Sequence, residues 1–345
     1  MHLIHASFLC RRDAMMFTVT CLVSIGLAVP AFGQAGDLPR PEAQLLSAND
    51  GLPIAITYFK SGGGKETPVV VLLHMKEDSR RIWDNGLAPV LQKEGYAVVT
   101  VDLRGHGESK GGGIAATGTT GNANQKKKDD KDKKPAAKST KATGEVKRGD
   151  VEAMIALDME AVKTFIYERH QAGELNMNKL AVVGAEMGAT VGLNFSYTDW
   201  LKKPHSDGQP GFQTPRGQDV RAVVLISPQT GFAGIPVNAA LNAMRTSYPT
   251  AVDPNGGVAV LVCVAKKDTE DRGQAKKIFD QVQNKDNESR TYFESYEGKL
   301  RGTQMLGKNL RIEAHLLAFL DKHLRKLPPN WRDRQSKLEK NAAAK

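Results

Sequence analysis

The sequence predicts one domain built on a doubly wound, mostly parallel α/β sheet. Two observations predict it. Seven apolar runs have strand length, and most are continuous rather than alternating, as expected of strands buried on both faces. Segments of helical length separate most of them, and strand–helix alternation builds parallel sheets through crossover connections. A chain of 345 residues leaves room for one large domain.

In order, the strands are expected at Ile54–Phe59, Val69–Leu73, Ala97–Val101, Leu180–Val183, Ala222–Ile226, Val258–Ala265 and Thr291–Tyr296. Helices are expected at about residues 80–94, 150–171, 187–196, 272–284 and 307–326. In the last, Leu310, Leu316, Leu317, Leu320 and Leu324 form, with Glu313, a largely apolar stripe at helical spacing. Gly62-Gly63-Gly64-Lys65 lacks the following Ser/Thr and the strand–helix setting of a phosphate loop, and reads as a hairpin turn. Thr198–Asp219, rich in Gly and Pro, reads as loop. The 31 residues between Ile226 and Val258 are too few for a large lid domain.

Segments outside this pattern carry the unusual composition. Arg11 and Arg12 precede an apolar run from Met15 to Val29 and a small-residue exit through Ala35, so residues 1–35 read as a secretory signal peptide, with Met15 an alternative start. The run is short for a membrane span, which needs about 20 residues. The mature chain is therefore expected to be exported, periplasmic or secreted, without an integral span. Cys10 and Cys21 fall in that segment, which leaves Cys263 as a core thiol with no disulfide partner. Residues 110–148 hold no aromatic residue and are expected to be a disordered basic insert. Residues 328–345 read as a disordered basic tail in which only Trp331 can dock. The domain proper is then 36–109 with 149–327.

The net charge of +10 belongs to these appendages. Residues 126–150 carry ten Lys/Arg against five Asp/Glu, and residues 322–345 eight against two, so the body is close to neutral. A nucleic-acid interface needs basic residues clustered on a folded face, which excludes that partner class. No metal-ligand spacing and no dinucleotide fingerprint occurs, so neither metal nor cofactor is expected.

Three motifs carry the chemistry. Val69–His74 is an apolar strand ending in histidine. Asp102-Leu103-Arg104-Gly105-His106-Gly107-Glu108-Ser109 is a D-x-R-G-x-G-x-S turn. Val182-Val183-Gly184-Ala185-Glu186-Met187-Gly188 has the strand–turn–helix setting of a G-x-S-x-G nucleophile elbow, with glutamate at the nucleophile's position. In order and spacing these resemble the α/β-hydrolase family, its serine-aminopeptidase-like and dienelactone-hydrolase-like exported members, over roughly residues 45–327 outside the insert.

The resemblance implies a sheet of that family's kind and a Ser–His–acid triad, and here the sequence departs from it. Glu186 stands for the serine and Asp268 for the acid. Arg301 or Leu300 stands where the histidine belongs. His74 is followed by Met75-Lys76 where relatives carry the glycine of the oxyanion loop; Met187, after the elbow position, completes the loop-and-cleft set. As a structural residue Glu186 would sit at a helix N-terminus that favours an anion and pair with Arg301. Asp268 would cap or tie a loop, and His106 would stabilise its turn. His74 is the candidate for residual proton transfer.

Three functions stay open. The first is an exported hydrolase-fold protein without its nucleophile and base, acting as a binding module whose old cleft, lined by His74, Lys76, Glu186 and Arg301, takes a small charged ligand. The second is an active ester, amide or epoxide hydrolase that uses Glu186, assisted by Asp268 or His74. The third is an envelope-associated protein that binds an acidic envelope component through residues 110–148 and its tail.

Overall fold

The computed structural model describes residues 38–110, 145–246, 257–328 and 331–343. The expected signal peptide and most of the expected insert lie outside the described residues.

Among the described residues the strands are β1 (Glu42–Ser47), β2 (Pro53–Phe59), β3 (Pro68–Leu73), β4 (Ala97–Val101), β5 (Asn176–Ala185), β6 (Val220–Ile226), β7 (Gly231–Phe232), β8 (Ile235–Pro236), β9 (Ala259–Ala265) and β10 (Thr291–Tyr296). Eight form one sheet in the order β1-β2-β4-β3-β5-β6-β9-β10. The two pairings at the β1 end are antiparallel and the other five are parallel. The sheet is therefore the mostly parallel one that the apolar runs predict. Strand β1 escapes the sequence reading because its EAQLLS is polar enough for an edge, with Leu45 half exposed. The Gly62–Lys65 turn is not a hairpin. It joins β2 to β3, which are separated in the sheet by β4, so the chain crosses over there.

The helices are α1 (Arg81–Asp84), α2 (Leu87–Lys93), α3 (Arg148–Ala153), α4 (Met159–Gln171), α5 (Met187–Leu201), α6 (Asn238–Thr246), α7 (Gln274–Val282), α8 (Ile312–Leu320) and α9 (Lys337–Ala343). A π-type turn, Met154–Asp158, joins α3 to α4. Alternation along each strand splits the core in two. Val69, Val71 and Leu73 of β3 face Phe165 of α4, Phe195 of α5, Leu241 of α6 and Ile278 of α7 in one cluster. Val70 and Leu72 face the other, with Trp83, Leu91, Leu316 and Leu320 of α1, α2 and α8. Both faces of the central strands are covered, which accounts for the continuous apolar runs.

The D-x-R-G-x-G-x-S turn is a knot around one carboxylate. Asp102 accepts from the backbone N–H of Arg80 (2.7 Å) and Glu108 (2.8 Å) and pairs with the Arg80 guanidinium. Gly107, at φ 49°, has no room for a Cβ against that carboxylate. Ser109 donates to the Asp102 carbonyl (2.7 Å) and accepts from Ala55 N–H (2.8 Å), tying the turn to β2. His106 lies on the same turn, with Nδ1 3.0 Å from the Arg104 carbonyl.

The tail corrects a second expectation. Residues 331–336 run along the body and lead into α9, and Arg334 is buried against Asp219. Sequence composition cannot reveal this, because the partner carboxylate is 115 positions away.

Candidate functional site

Strand β5 ends at Ala185, and Glu186 turns the chain into α5. Its N–H donates to the Ile226 carbonyl at the end of β6 (2.9 Å), while its own carbonyl accepts from Ala189 (3.1 Å) and Thr190 (3.2 Å) to start the helix. The turn is sharp enough to force φ 50°, ψ −105° on a residue with a side chain, a sparsely populated and strained conformation. Two glycines make the turn possible. A Cβ on Gly184 would strike the backbone of Gly188, and one on Gly188 would lie 2.5 Å from the Leu73 carbonyl and 2.6 Å from that of His74. Glu186 thus occupies an elbow in geometry as well as in sequence.

Its carboxylate does not point freely into a cleft. Oε1 accepts from Arg301 Nε (3.0 Å) and from Gln229 Nε2 (3.1 Å). The same guanidinium donates through Nη1 to Asp268 Oδ2 (2.8 Å). Asp268 Oδ1 in turn accepts from the N–H groups of Glu270 (3.0 Å) and Asp271 (3.3 Å). Glu270, mostly exposed, adds a carboxylate 3.5 Å from Arg301 Nε. One cation therefore bridges the positions of nucleophile and acid, standing where the resemblance places the histidine. Glu186 and Arg301 are 9 % and 7 % exposed. Burial works against the charge of Arg301, but hydrogen bonds and charge from Glu186 and Asp268 outweigh it and hold its pKa above the ordinary value.

Arg301 is held in register by its neighbours. It leads into a tight 3₁₀ turn, Gly302–Met305. Gly302 N–H donates to the buried Ser227 hydroxyl (2.9 Å), and at φ 53° a Cβ there would be 2.8 Å from Met75 Sδ. Thr303 donates to Asp78 (2.9 Å), which ties this turn to the loop after β3. Gln229, Ser227, Thr303 and Glu270 escape the sequence reading: single polar residues in loops carry no periodicity.

The loop-and-cleft residues divide. Met75 and Lys76 are half-buried in the loop after β3. His74 and Met187 are fully buried and line no cleft, contrary to expectation. Met187 packs in the core beside β3. His74 accepts from Leu103 N–H at Nε2 (3.1 Å), which leaves the proton on Nδ1, 2.8 Å from the Met75 carbonyl. Burial, and then His106 with its ring 5.0 Å away, push the His74 pKa down to about 4. Both nitrogens are engaged in hydrogen bonds, so the His74 ring ties the loop after β3 to the loop after β4. His315 and His323, on α8 and the turn after it, bond to Tyr296 and Tyr292 of β10, away from Glu186.

A guanidinium remains protonated and cannot serve as a base. The cluster can anchor and neutralise, with one guanidinium shared between two carboxylates. Among the described residues, no group of three His, Cys, Asp or Glu lies together as a metal site.

No protein-family model and no curated protein matches the chain. Solved structures do. A hyperthermophilic esterase from the archaeon Pyrobaculum calidifontis superposes with a TM-score of 0.51 at 16 % identity, over 83 % of this chain and 85 % of that one. The Pyrococcus furiosus esterase Pf2001 gives 0.51 at 14 % identity, over 83 % and 93 %. DcsB, in complex with its substrate analogue, gives 0.52 at 13 % identity, over 83 % and 99 %. The sheet order, the elbow geometry at Glu186 and these superpositions agree: the chain has the α/β-hydrolase fold.

Proposed function

We propose that this chain is an exported, non-catalytic member of the hydrolase fold that works as a binding or interaction module. The observation that carries the reading is the Arg301 bridge. The three positions that relatives use for nucleophile, base and acid hold a buried carboxylate–guanidinium–carboxylate cluster, with hydrogen bonds from one cation to both anions. Nucleophilic hydrolysis needs a base that takes and returns a proton, and neither Arg301 nor His74 can do so. The ligand class that suits the rim, where Glu270 is exposed and Lys76 half-buried, is small and charged.

One observation favours the alternative of a working hydrolase: Glu186 keeps the strained elbow conformation although serine chemistry no longer requires it. The reading as an envelope protein acting through basic appendages would have to use tail cations other than Arg334, which is committed to Asp219.

The test is hydrolysis of short and long p-nitrophenyl esters, aminoacyl p-nitroanilides and an epoxide by the purified chain. Beside the wild type run Glu186→Ala and Glu186→Ser/Arg301→His. The expected result is no turnover by the wild type and detectable esterase activity in the double variant. Wild-type turnover that disappears in Glu186→Ala would sink the proposal and make this a carboxylate-dependent enzyme.

A further inference from the structure

The pole of the molecule opposite the elbow holds a second built cluster. Glu186 lies at the carboxyl end of β5; Asp219 lies just before β6 and Asp199 near the end of α5, about 20 Å along that helix from the elbow. Asp199 and Asp219 are fully buried, and within the body they share one cation, Lys163. Asp199 is held further by the N–H groups of Asp219 (2.8 Å) and Val220 (3.3 Å), whereas Asp219 as a buried ion needs a partner beyond its share of Lys163. The missing charge comes from the tail. Arg334 grips Asp219 with both Nη atoms (2.6 and 2.9 Å) and reaches Asn178 as well (2.6 Å).

Three residues upstream, the Trp331 ring lies 4.8 Å from the His170 ring, and Lys65 Nζ stands 4.0 Å from the centroid of the same indole. Backbone contacts fix the segment between these anchors. Met177 N–H donates to His170 Nδ1 (3.2 Å), so His170 Nε2 carries the proton and donates to the Arg332 carbonyl (2.9 Å). Arg334 N–H donates to the Gln171 side chain (3.0 Å). The end of α4 thus contacts the backbone, while His170 and Lys65 flank the aromatic ring and Asp219 with Asn178 holds the guanidinium. This is how proteins recognise extended peptides.

The segment has the character of a ligand. Among the described residues, no side chain from 331 to 343 belongs to either hydrophobic core. Leu338 of α9 is largely exposed. We propose that the groove at the amino ends of β5 and β6 is a peptide-binding site for an aromatic-x-x-Arg segment, with residues 331–337 as its resident, dissociable ligand.

The test uses the full chain with a protease recognition sequence in place of Pro329-Asn330. After cleavage, a fluorescent synthetic peptide of residues 331–345 is added at increasing concentration, with circular dichroism of the body followed in parallel. The expected result is that the body stays folded and the labelled peptide exchanges into it. Peptides with Arg334→Ala or Trp331→Ala should bind at least about tenfold more weakly, and Arg334→Lys should also lose affinity because it lacks the fork. Three outcomes overturn the proposal: the body unfolds when the fragment leaves, the labelled peptide fails to bind the folded body, or the Arg334→Ala peptide binds as well as the parent.

Discussion

Arg301 is the residue on which the site turns, and its substitution tests the arrangement directly. In Arg301→Ala, two buried carboxylates lose their common cation, and breaking a buried pair from one side costs on the order of 3 kcal/mol or more. Urea denaturation should register that loss, and a change below about 1 kcal/mol would mean that water already screens the cluster. His74 makes a prediction in pH. Its folded pKa of about 4 lies below the ordinary 6.5, so above 6.5 it is neutral in both states. As pH falls, the unfolded chain takes up the proton first. Stability from this group should therefore decline between about pH 6.5 and 4, by at most about 3 kcal/mol, and then level off. Denaturation midpoints across that window should fall more steeply in wild type than in His74→Gln; equal slopes would place the proton elsewhere. At this scale the sequence is legible where a motif fixes the position. The family resemblance points to Glu186, to Asp268 and to Arg301 or Leu300, and Glu186, Asp268 and Arg301 meet. Gln229 and Ser227 are not legible, because what places them is the end of β6 beside the elbow, a tertiary fact. His74 misleads for a related reason: a histidine after a strand reads as a cleft residue unless its two loop partners are known.

Among the elements, the elbow is the most constrained. Strand β3, strand β5 and helix α5 approach until Gly188 lies against two carbonyls, so Gly188→Ala must push backbone against backbone. A loss of at least about 2 kcal/mol is expected, to be read as a lowered melting temperature, whereas Gly95→Ala, whose added Cβ meets nothing but whose φ is 87°, should lose less. A melting temperature unchanged in Gly188→Ala would show that α5 can slide away from β3. The central strands were legible because burial on both faces leaves unbroken apolar runs. Helix α6 and the β7–β8 ribbon were not, since elements of nine and two residues, between β6 and β9, carry too few turns for a period to emerge. Strand β1 was hidden by its polar, edge-facing composition.

For the molecule as a whole, composition assigns the net charge to the appendages and misjudges what the tail does with part of it. The tail's basic residues are partly spent on the body, through Arg334 and Asp219, and that contact joins α4, α5, β6 and the C-terminal segment in one network. Asp219→Ala should accordingly destabilise by about 3 kcal/mol or more, while Asp280→Ala, which removes the exposed pair with Lys276, should change stability by less than about 0.5 kcal/mol. Chemical denaturation of the two variants side by side checks the contrast; similar small losses in both would deny the buried network its role. The bridge at the elbow has a further consequence, in the paths open to the sequence over time. Glu186→Ser alone would leave Arg301 with Asp268 as its one buried anionic partner, and Arg301→His alone would leave Glu186 and Asp268 facing a weaker cation. Each step by itself costs stability, and neither alone assembles a triad. Selection acting one substitution at a time would meet a valley from either side, so this pair of residues works as an evolutionary ratchet.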